Sequence, residues 1–304
     1  MKKFILLIAA LAATCTLAFA ENEAAGKTFQ QHYDFRDFSK LSVSNSFRVD
    51  LHFTDNYSVD IEVPDFLEPY LKISCVGGKL SIGLTNLPQD IQRKLNDHSG
   101  ELYAKVEMPS LTALTMSGAT RVATTGVPRL GDSESLSVDL SGASVLENLE
   151  ASSKGRLTVD LSGASKAAMK ARFQVFDIDL SGACHLKLEG NADKVSYDGS
   201  GASDCALTGD YGEIDSEVSG SSSIQVKGNV RSLEANASGS SKFEVEGDTE
   251  KADVELSGAS KGRLTVTQSL KYELSGVSTL KVKDKGIATK HGQASRSAKV
   301  EFVR

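Results

Sequence analysis

Val138–Ser144 reads VDLSGAS, and Val159–Ser165 repeats it letter for letter. IDLSGAC at Ile178–Cys184, VELSGAS at Val254–Ser260 and YELSGVS at Tyr272–Ser278 are close variants. Working outward from these copies, a Ser-Gly pair begins at Ser117, Ser141, Ser162, Ser181, Ser200, Ser219, Ser238, Ser257 and Ser275. The steps between them are 24, 21, 19, 19, 19, 19, 19 and 18 residues. A fixed period near 20 residues marks a solenoid, in which each repeat can bury its apolar side only against its neighbours.

A second punctuation falls nine residues after the serine, at Gly190-Asn191, Gly209-Asp210, Gly228-Asn229 and Gly247-Asp248. Glycine followed by Asn or Asp is turn chemistry, because these residues tolerate positive φ. Apolar residues then alternate on both sides of that turn. Leu186 and Leu188, Ile224 and Val226, and Phe243 and Val245 precede it, while Phe176, Ile178 and Leu180, or Val254 and Leu256, follow it. Period-two alternation makes each segment a strand with one face in and one face out. No ten-residue window free of glycine carries an i, i+3, i+4 apolar stripe, so helix is expected to be negligible after Ala20. The fold expected is all-β, a parallel β-helix (β-solenoid) with coils of about 19 residues, right-handed by the crossover rule.

Ser-Gly is then the corner of each coil. Gly118, Gly142, Gly163, Gly182, Gly201, Gly220, Gly239, Gly258 and Gly276 allow a bend that a Cβ would oppose. The next residue, Ala in six of the nine copies, is expected to tuck into the narrow end of the core. The serines are expected to stack into hydroxyl ladders between coils.

The ends read differently. Lys2 and Lys3, the apolar run Phe4–Ala13 and the small-x-small Ala18-Phe19-Ala20 form a secretory signal peptide over residues 1–20. Cys15 raises a lipoprotein alternative, but Ala12-Ala13-Thr14 is a poor lipobox. Residues 21–34 are expected to be a flexible segment, followed by one β-helix domain over 35–303. Within it, 35–116 form less regular coils, with a turn at Gly77-Gly78, and 117–283 the SGAS coils. Polar Leu87–Gly100, with Asp90, Arg93, Lys94, Asp97 and His98, reads as a surface loop. Residues 284–304 are expected to form a C-terminal cap, with a loose basic connection ahead of a last strand at Lys299–Val303.

Composition narrows the partners. A formal charge of −6 argues against nucleic acid, and no later segment is apolar enough to cross a bilayer as a helix. Three cysteines follow the signal peptide, Cys75, Cys184 and Cys205, with no CxxC spacing, so they give neither a disulfide framework nor a zinc site. With 6% aromatic residues and no Trp, the core must be built from small aliphatic side chains.

FSKLSVSNSFRVDL (Phe38–Leu51), IEVPDFLEPYLKISCVGGKLSIGL (Ile61–Leu84) and VEMPSLTALTMSGAT (Val106–Thr120), followed by the SGAS series, resemble the secreted bacterial "putative auto-transporter adhesin, head GIN domain" family. The resemblance spans Phe35 to Val303. It implies a right-handed β-helix exported by a Gram-negative bacterium, and it carries no catalytic residues over to this chain.

No catalytic constellation stands out. His32, His52, His98, His185 and His291 are scattered, and no Gly-x-Ser-x-Gly elbow, HExxH or P-loop occurs. No cofactor and no metal site is expected. The feature with pattern lies two and four residues before each corner serine, where side chains should point outward. Asp177, Asp179, Asp198, Asp215, Glu217, Glu234, Asp253 and Glu255 fill eight of ten such positions from Asp177 to Glu255, and Asp139, Asp160 and Glu273 extend the inner column. The opposite strand's outward positions lean basic, with Lys166, Lys170, Lys187, Lys227, Lys242, Lys261, Arg263, Lys281 and Lys283 against Glu189, Asp204, Glu244 and Glu246. Two readings of the acidic face stand open here, a solvation device that keeps a repetitive β-protein soluble, and a binding stripe assisted by a cation such as Ca²⁺.

The function expected is a secreted or cell-envelope, non-enzymatic binding protein of adhesion type, recognising a surface polymer or protein. Its location would be the periplasm, the outer surface or the medium. A structural envelope scaffold is the alternative. A polysaccharide-acting β-helix enzyme is a weaker one, because such enzymes wall a groove with long loops and the turns here are short.

Overall fold

The computed structural model describes residues 27–97 and 101–303, so the signal peptide and His98 lie outside the described residues. Strands that precede each corner stack in parallel as one ladder, sheet A. It runs through Leu136–Leu140, Arg156–Leu161, Val175–Leu180, Ala192–Gly199, Tyr211–Val218 and Val230–Ala237. Strands that follow each corner stack as sheet B, through Lys166–Arg172, His185–Glu189, Asp204–Thr208 and Ser223–Lys227. Lys242–Leu256 and Lys261–Leu274 are long enough to pass from sheet B into sheet A. The chain is therefore a two-sheet β-solenoid, and its coils repeat in the 19-residue register that the glycines mark.

Between the sheets lies a dry core made of columns. Leu157, Phe176, Val195, Ile214, Leu233 and Ala252 stand in register on successive coils, each no more than 6% exposed. Every residue placed inward by alternation above, including Ile178, Leu186, Val226, Phe243 and Val254, is buried. At roughly 25 cal/mol for each Å² of apolar surface removed from water, such columns are the main favourable contribution to the fold.

The corners show both agreement and a correction. Their glycines share φ between +67° and +90°. Gly201 (φ +76°) shows why: a Cβ there would lie 2.6 Å from the carbonyl oxygen of Gly182 on the preceding coil. The residue after each glycine does not tuck inward; Ala143, Ala164, Ala183, Ala202 and Ala259 are exposed. The fourth residue turns in instead, so Ser144, Ser165, Cys184, Ser203, Ser222, Ser241, Ser260 and Ser278 are buried. Burial of a hydroxyl costs little only when it is hydrogen-bonded. Most of these donate three residues back, within their own corner: Ser165 Oγ to Ser162 O (2.8 Å), Ser241 Oγ to Ser238 O (2.6 Å), Ser260 Oγ to Ser257 O (2.7 Å). Among the described residues, hydroxyls of successive corners meet only locally, at Thr120–Ser144 (3.0 Å) and Ser203–Ser222 (3.2 Å). The expected continuous ladder of serines is replaced by closed corners.

A ladder does form at the second turn. Asn191 Oδ1 accepts from the Asp210 amide (2.8 Å), Asp210 Oδ1 from the Asn229 amide (2.8 Å), and Asn229 Oδ1 from the Asp248 amide (3.1 Å). The glycines before them pack backbone on backbone; a Cβ on Gly209 would lie 1.9 Å from Gly190 O.

The ends depart from the sequence reading in three places. Thr28–Tyr33, expected within the flexible segment, is a strand antiparallel to Ser58–Pro64, which in turn runs antiparallel to Leu102–Met108. Helix is a minor component, as expected, but Gln89–Asp97 is an α-helix where a loop was expected, and Asp65–Tyr70 is a 3-10 turn. Ile91 and Leu95, four apart on that helix, rest on the core, and Lys94 Nζ sits 4.0 Å from the centre of the Phe66 ring. At the other end, Thr289–Ala294 is a strand parallel to Lys261–Leu274 rather than a loose connection, and Lys299–Val303 pairs with Thr279–Asp284. Gly77 (φ +58°) and Gly78 (φ +72°) turn Leu71–Val76 back onto Lys79–Leu84. Cys75, Cys184 and Cys205 are free thiols.

Candidate binding face

Sheet A's outward side chains follow from its alternation and register. Asp139, Asp160, Asp179, Asp198, Glu217, Asn236, Glu255 and Glu273 stand on successive strands as one column. Beside it, two residues earlier on each strand, run Asp177, Ser196, Asp215, Glu234, Asp253 and Lys271. Every acidic residue singled out by spacing thus lies on one face, in two adjacent columns. Rungs are about 4.8 Å apart, and the two columns about 7 Å.

Cations that spacing did not single out trim the outer edge. Arg156 pairs with Asp177, Lys271 Nζ with Asp253 (2.7 Å), and Lys194 Nζ with Glu213 (2.9 Å). Arg156 and Lys194 sit six residues before their corner serine, one outward position ahead of the two acidic columns. Among the described residues the inner column has no such partners. Local desolvation, then repulsion from Asp179 and Asp139, pushes the Asp160 carboxyl above its ordinary value. Between this column and the corners lies a shallow depression of about 630 Å³, lined by Asp179, Asp198, Glu217, Glu255 and Glu273. Neighbouring side chains on a β-face point the same way rather than toward one another. Among the described residues no three acidic, His or Cys groups converge to hold a metal ion.

The second-turn edge carries a feature absent from the sequence reading, a groove of about 1050 Å³ lined by Arg172, Gln174, Asp193, Tyr211, Arg231 and Glu250. These residues come from four or more coils and meet only because the turns stack, so no local motif announces them.

Among the described residues two serine-aspartate-histidine groups are found, and neither is ordered for nucleophilic catalysis. Ser223 Oγ donates to Asp204 Oδ1 (2.5 Å), and His185 Nδ1 lies 3.2 Å from Asp204 Oδ2. Ser58 Oγ donates to Asp60 Oδ2 (2.9 Å), and His32 Nδ1 lies 2.7 Å from Asp60 Oδ1. In both the carboxylate stands in the middle, whereas activating a serine requires the imidazole between hydroxyl and carboxylate.

Together these observations define a β-solenoid that displays one carboxylate-lined face on short, closed coils. The chain belongs to the family described as "Putative auto-transporter adhesin, head GIN domain", which matches residues 37–209 and 178–286. Among solved structures, it is similar to a putative adhesin from Parabacteroides distasonis ATCC 8503 at 17% identity and a TM-score of 0.52, covering 92% of this chain and 98% of that one. A putative adhesin from Parabacteroides merdae ATCC 43184 aligns at 14% identity and a TM-score of 0.46, covering 92% and 97%. No curated protein matches the chain.

Proposed function

We propose that this is an exported, non-enzymatic binding protein of adhesion type, and that the sheet A face is its working surface, meeting a surface polymer or protein. The observation that carries this reading is the register of the inner column from Asp139 to Glu273, acidic at every rung except Asn236. A partner with repeated cationic or hydroxyl groups can engage many carboxylates at once, although each alone is a hydrated charge worth little. Short turns, a central carboxylate in both Ser-Asp-His groups and the family's adhesin description support a binding role over catalysis.

The test is an array of glycans and cell-surface proteins probed with the purified protein and with a variant carrying Asp177→Asn, Asp179→Asn, Asp198→Asn, Asp215→Asn and Glu217→Gln. These side chains point away from the core, so the fold should persist. The reading expects the parent to bind and the variant to lose most of that binding. Equal binding by both removes the acidic face as the site.

A further inference from the structure

Sheet B presents the opposite face, with another balance of charge. From Lys166 onward its carboxylates are answered within the face. Glu189 has Lys170 (3.7 Å), Asp204 has His185 (3.2 Å), Glu244 has Lys242 and Arg263, Glu301 has Lys281 and Lys299, and Glu246 accepts from Gln225 Nε2 (2.6 Å). What remains are lysines. Lys166, Lys187, Lys227, Lys261 and Lys283 are exposed and, among the described residues, enter no ion pair.

Each of these lysines shares a coil with an exposed inner-column carboxylate of sheet A. The pairs are Asp160 with Lys166, Asp179 with Lys187, Glu217 with Lys227, Glu255 with Lys261 and Glu273 with Lys283. Those five carboxylates also enter no ion pair among the described residues. One coil therefore carries an unanswered acid on one face and an unanswered base on the other, five times over. Because acids and bases are written on the same coils, they share one axial spacing; across sheet B the lysines spread over three neighbouring columns, Lys166 and Lys261 four residues after the corner serine, Lys187 six, and Lys227 and Lys283 eight.

We propose that a second copy of the chain docks on this face, the lysine-bearing face of its sheet B lying against the carboxylate column of sheet A, where flexible lysine side chains from neighbouring columns reach the carboxylates coil by coil. The proposal rests on the reading of sheet A as a binding surface and names one partner for it. A sideways translation brings coil against coil, with no rotation needed. Such a contact is heterologous and does not close, so copies add in a stack whose last member still offers a free acidic face. Individual exposed ion pairs are weak, so the contact depends on their number and on low screening; the Debye length is about 10 Å at 0.1 M salt.

Sedimentation velocity of the full chain tests this at low salt and at about 0.5 M, where charges more than a few Å apart are screened. The expected result is an average mass that rises with concentration at low salt and returns to the monomer at high salt. Two variants locate the contact, each checked for the parent's circular dichroism spectrum. One carries Asp160→Lys, Asp179→Lys, Glu217→Lys, Glu255→Lys and Glu273→Lys; the other carries Lys166→Glu, Lys187→Glu, Lys227→Glu, Lys261→Glu and Lys283→Glu. Each alone should stay monomeric, and mixing them should restore association, since their faces are complementary. A parent that is monomeric at low salt overturns the proposal even if either variant fails to fold. Association that survives high salt or either reversal overturns it as well. Binding on the array without self-association would leave the adhesion reading standing and remove this partner.

Discussion

The ring of Phe243 fills the place a side chain would take at Gly262, its register partner on the next coil of sheet B: a Cβ on Gly262 would lie 2.4 Å from Phe243 Cε1. Tyr272 stands in the same relation to Gly292, where the added carbon would meet the ring at 2.3 Å. At these two places the next coil gives up its side chain to make room for the ring, whereas Phe176 is accommodated between Leu157 and Val195.

That pairing predicts non-additive energetics. Gly262→Ala should cost about 1–3 kcal/mol by overpacking, and Phe243→Ala about 3–5 kcal/mol by leaving a cavity. In a Phe243→Leu background the Gly262→Ala cost should largely vanish. Urea denaturation of the four proteins in a double-mutant cycle measures the coupling. A coupling near zero would show that ring and glycine are independent.

Corner glycines should resist substitution according to what precedes them. Gly201→Ala forces a non-glycine residue into φ +76° with its Cβ 2.6 Å from Gly182 O, so a loss above about 2 kcal/mol is expected. Asn45 shows the exception. It holds φ +73° at the start of the corner stack, where its Oδ1 accepts from the Leu84 amide (2.8 Å). Asn45→Gly should therefore weaken the first corner by about 1 kcal/mol, through the lost hydrogen bond, instead of relieving it. Thermal unfolding of both variants checks the contrast.

The buried corner hydroxyls should matter more than their size suggests. Ser260→Ala removes a donor that sits 2.7 Å from Ser257 O and is expected to cost about 1–2 kcal/mol. Cys184 occupies the same place with Sγ 3.1 Å from Ser181 O. Cys184→Ser should be neutral or slightly stabilising, because a hydroxyl is the better donor for that carbonyl.

Acidity should fasten the N-terminal strand. Hydrogen bonds to Asp60 and then Asp34 hold the His32 imidazole above its ordinary value near 6.5, and His32 lies on the outermost strand while Asp60 lies on its partner. A raised histidine pKa contributes stability that is complete below the unfolded value and lost as pH rises through the folded one. Amide exchange in Thr28–Tyr33, corrected for its intrinsic pH dependence, should therefore accelerate as pH rises above about 6.5, where the unpaired imidazole loses its proton. His32→Gln should abolish that dependence.

How much of this was legible follows from what glycine and hydropathy can report. Gly142 and Gly163 announce the coil because a corner stacked on another corner leaves no room for a Cβ, so period, phase and inward columns are legible in the sequence. Hydropathy fails at the corner itself, where Ala164 is exposed although it reads as core, and Ser165 is buried in its own closed corner although the repeat suggests a ladder between coils. The hydroxyl is inside because a carbonyl three residues back receives it, and no hydrophobicity scale records that partner. The helix Gln89–Asp97 has only the Ile91 and Leu95 pair to mark it, within a stretch otherwise polar on all sides. Thr28–Tyr33 is ordered by pairing with Ser58–Pro64, far along the chain and antiparallel to it, and nothing within six residues of local sequence reveals such a partner. The acidic columns were legible as columns, since alternation fixes their side and the repeat fixes their row. The cations at their edge were not read, because Arg156 and Lys194 lie outside the two columns being followed.

Seen as a mechanical element, the Asn/Asp ladder of the second turn places bonds such as Asn191 Oδ1 to the Asp210 amide between one coil and the next. Tension applied to the two ends of the chain would load the terminal coil first and peel it from its neighbour, leaving the rest intact. Each released coil of 19 residues would lengthen the tether by about 65 Å at the full extension of the backbone. Under load the protein would yield in equal steps and reform from its remaining coils, behaving as a shock absorber between whatever its ends and faces hold.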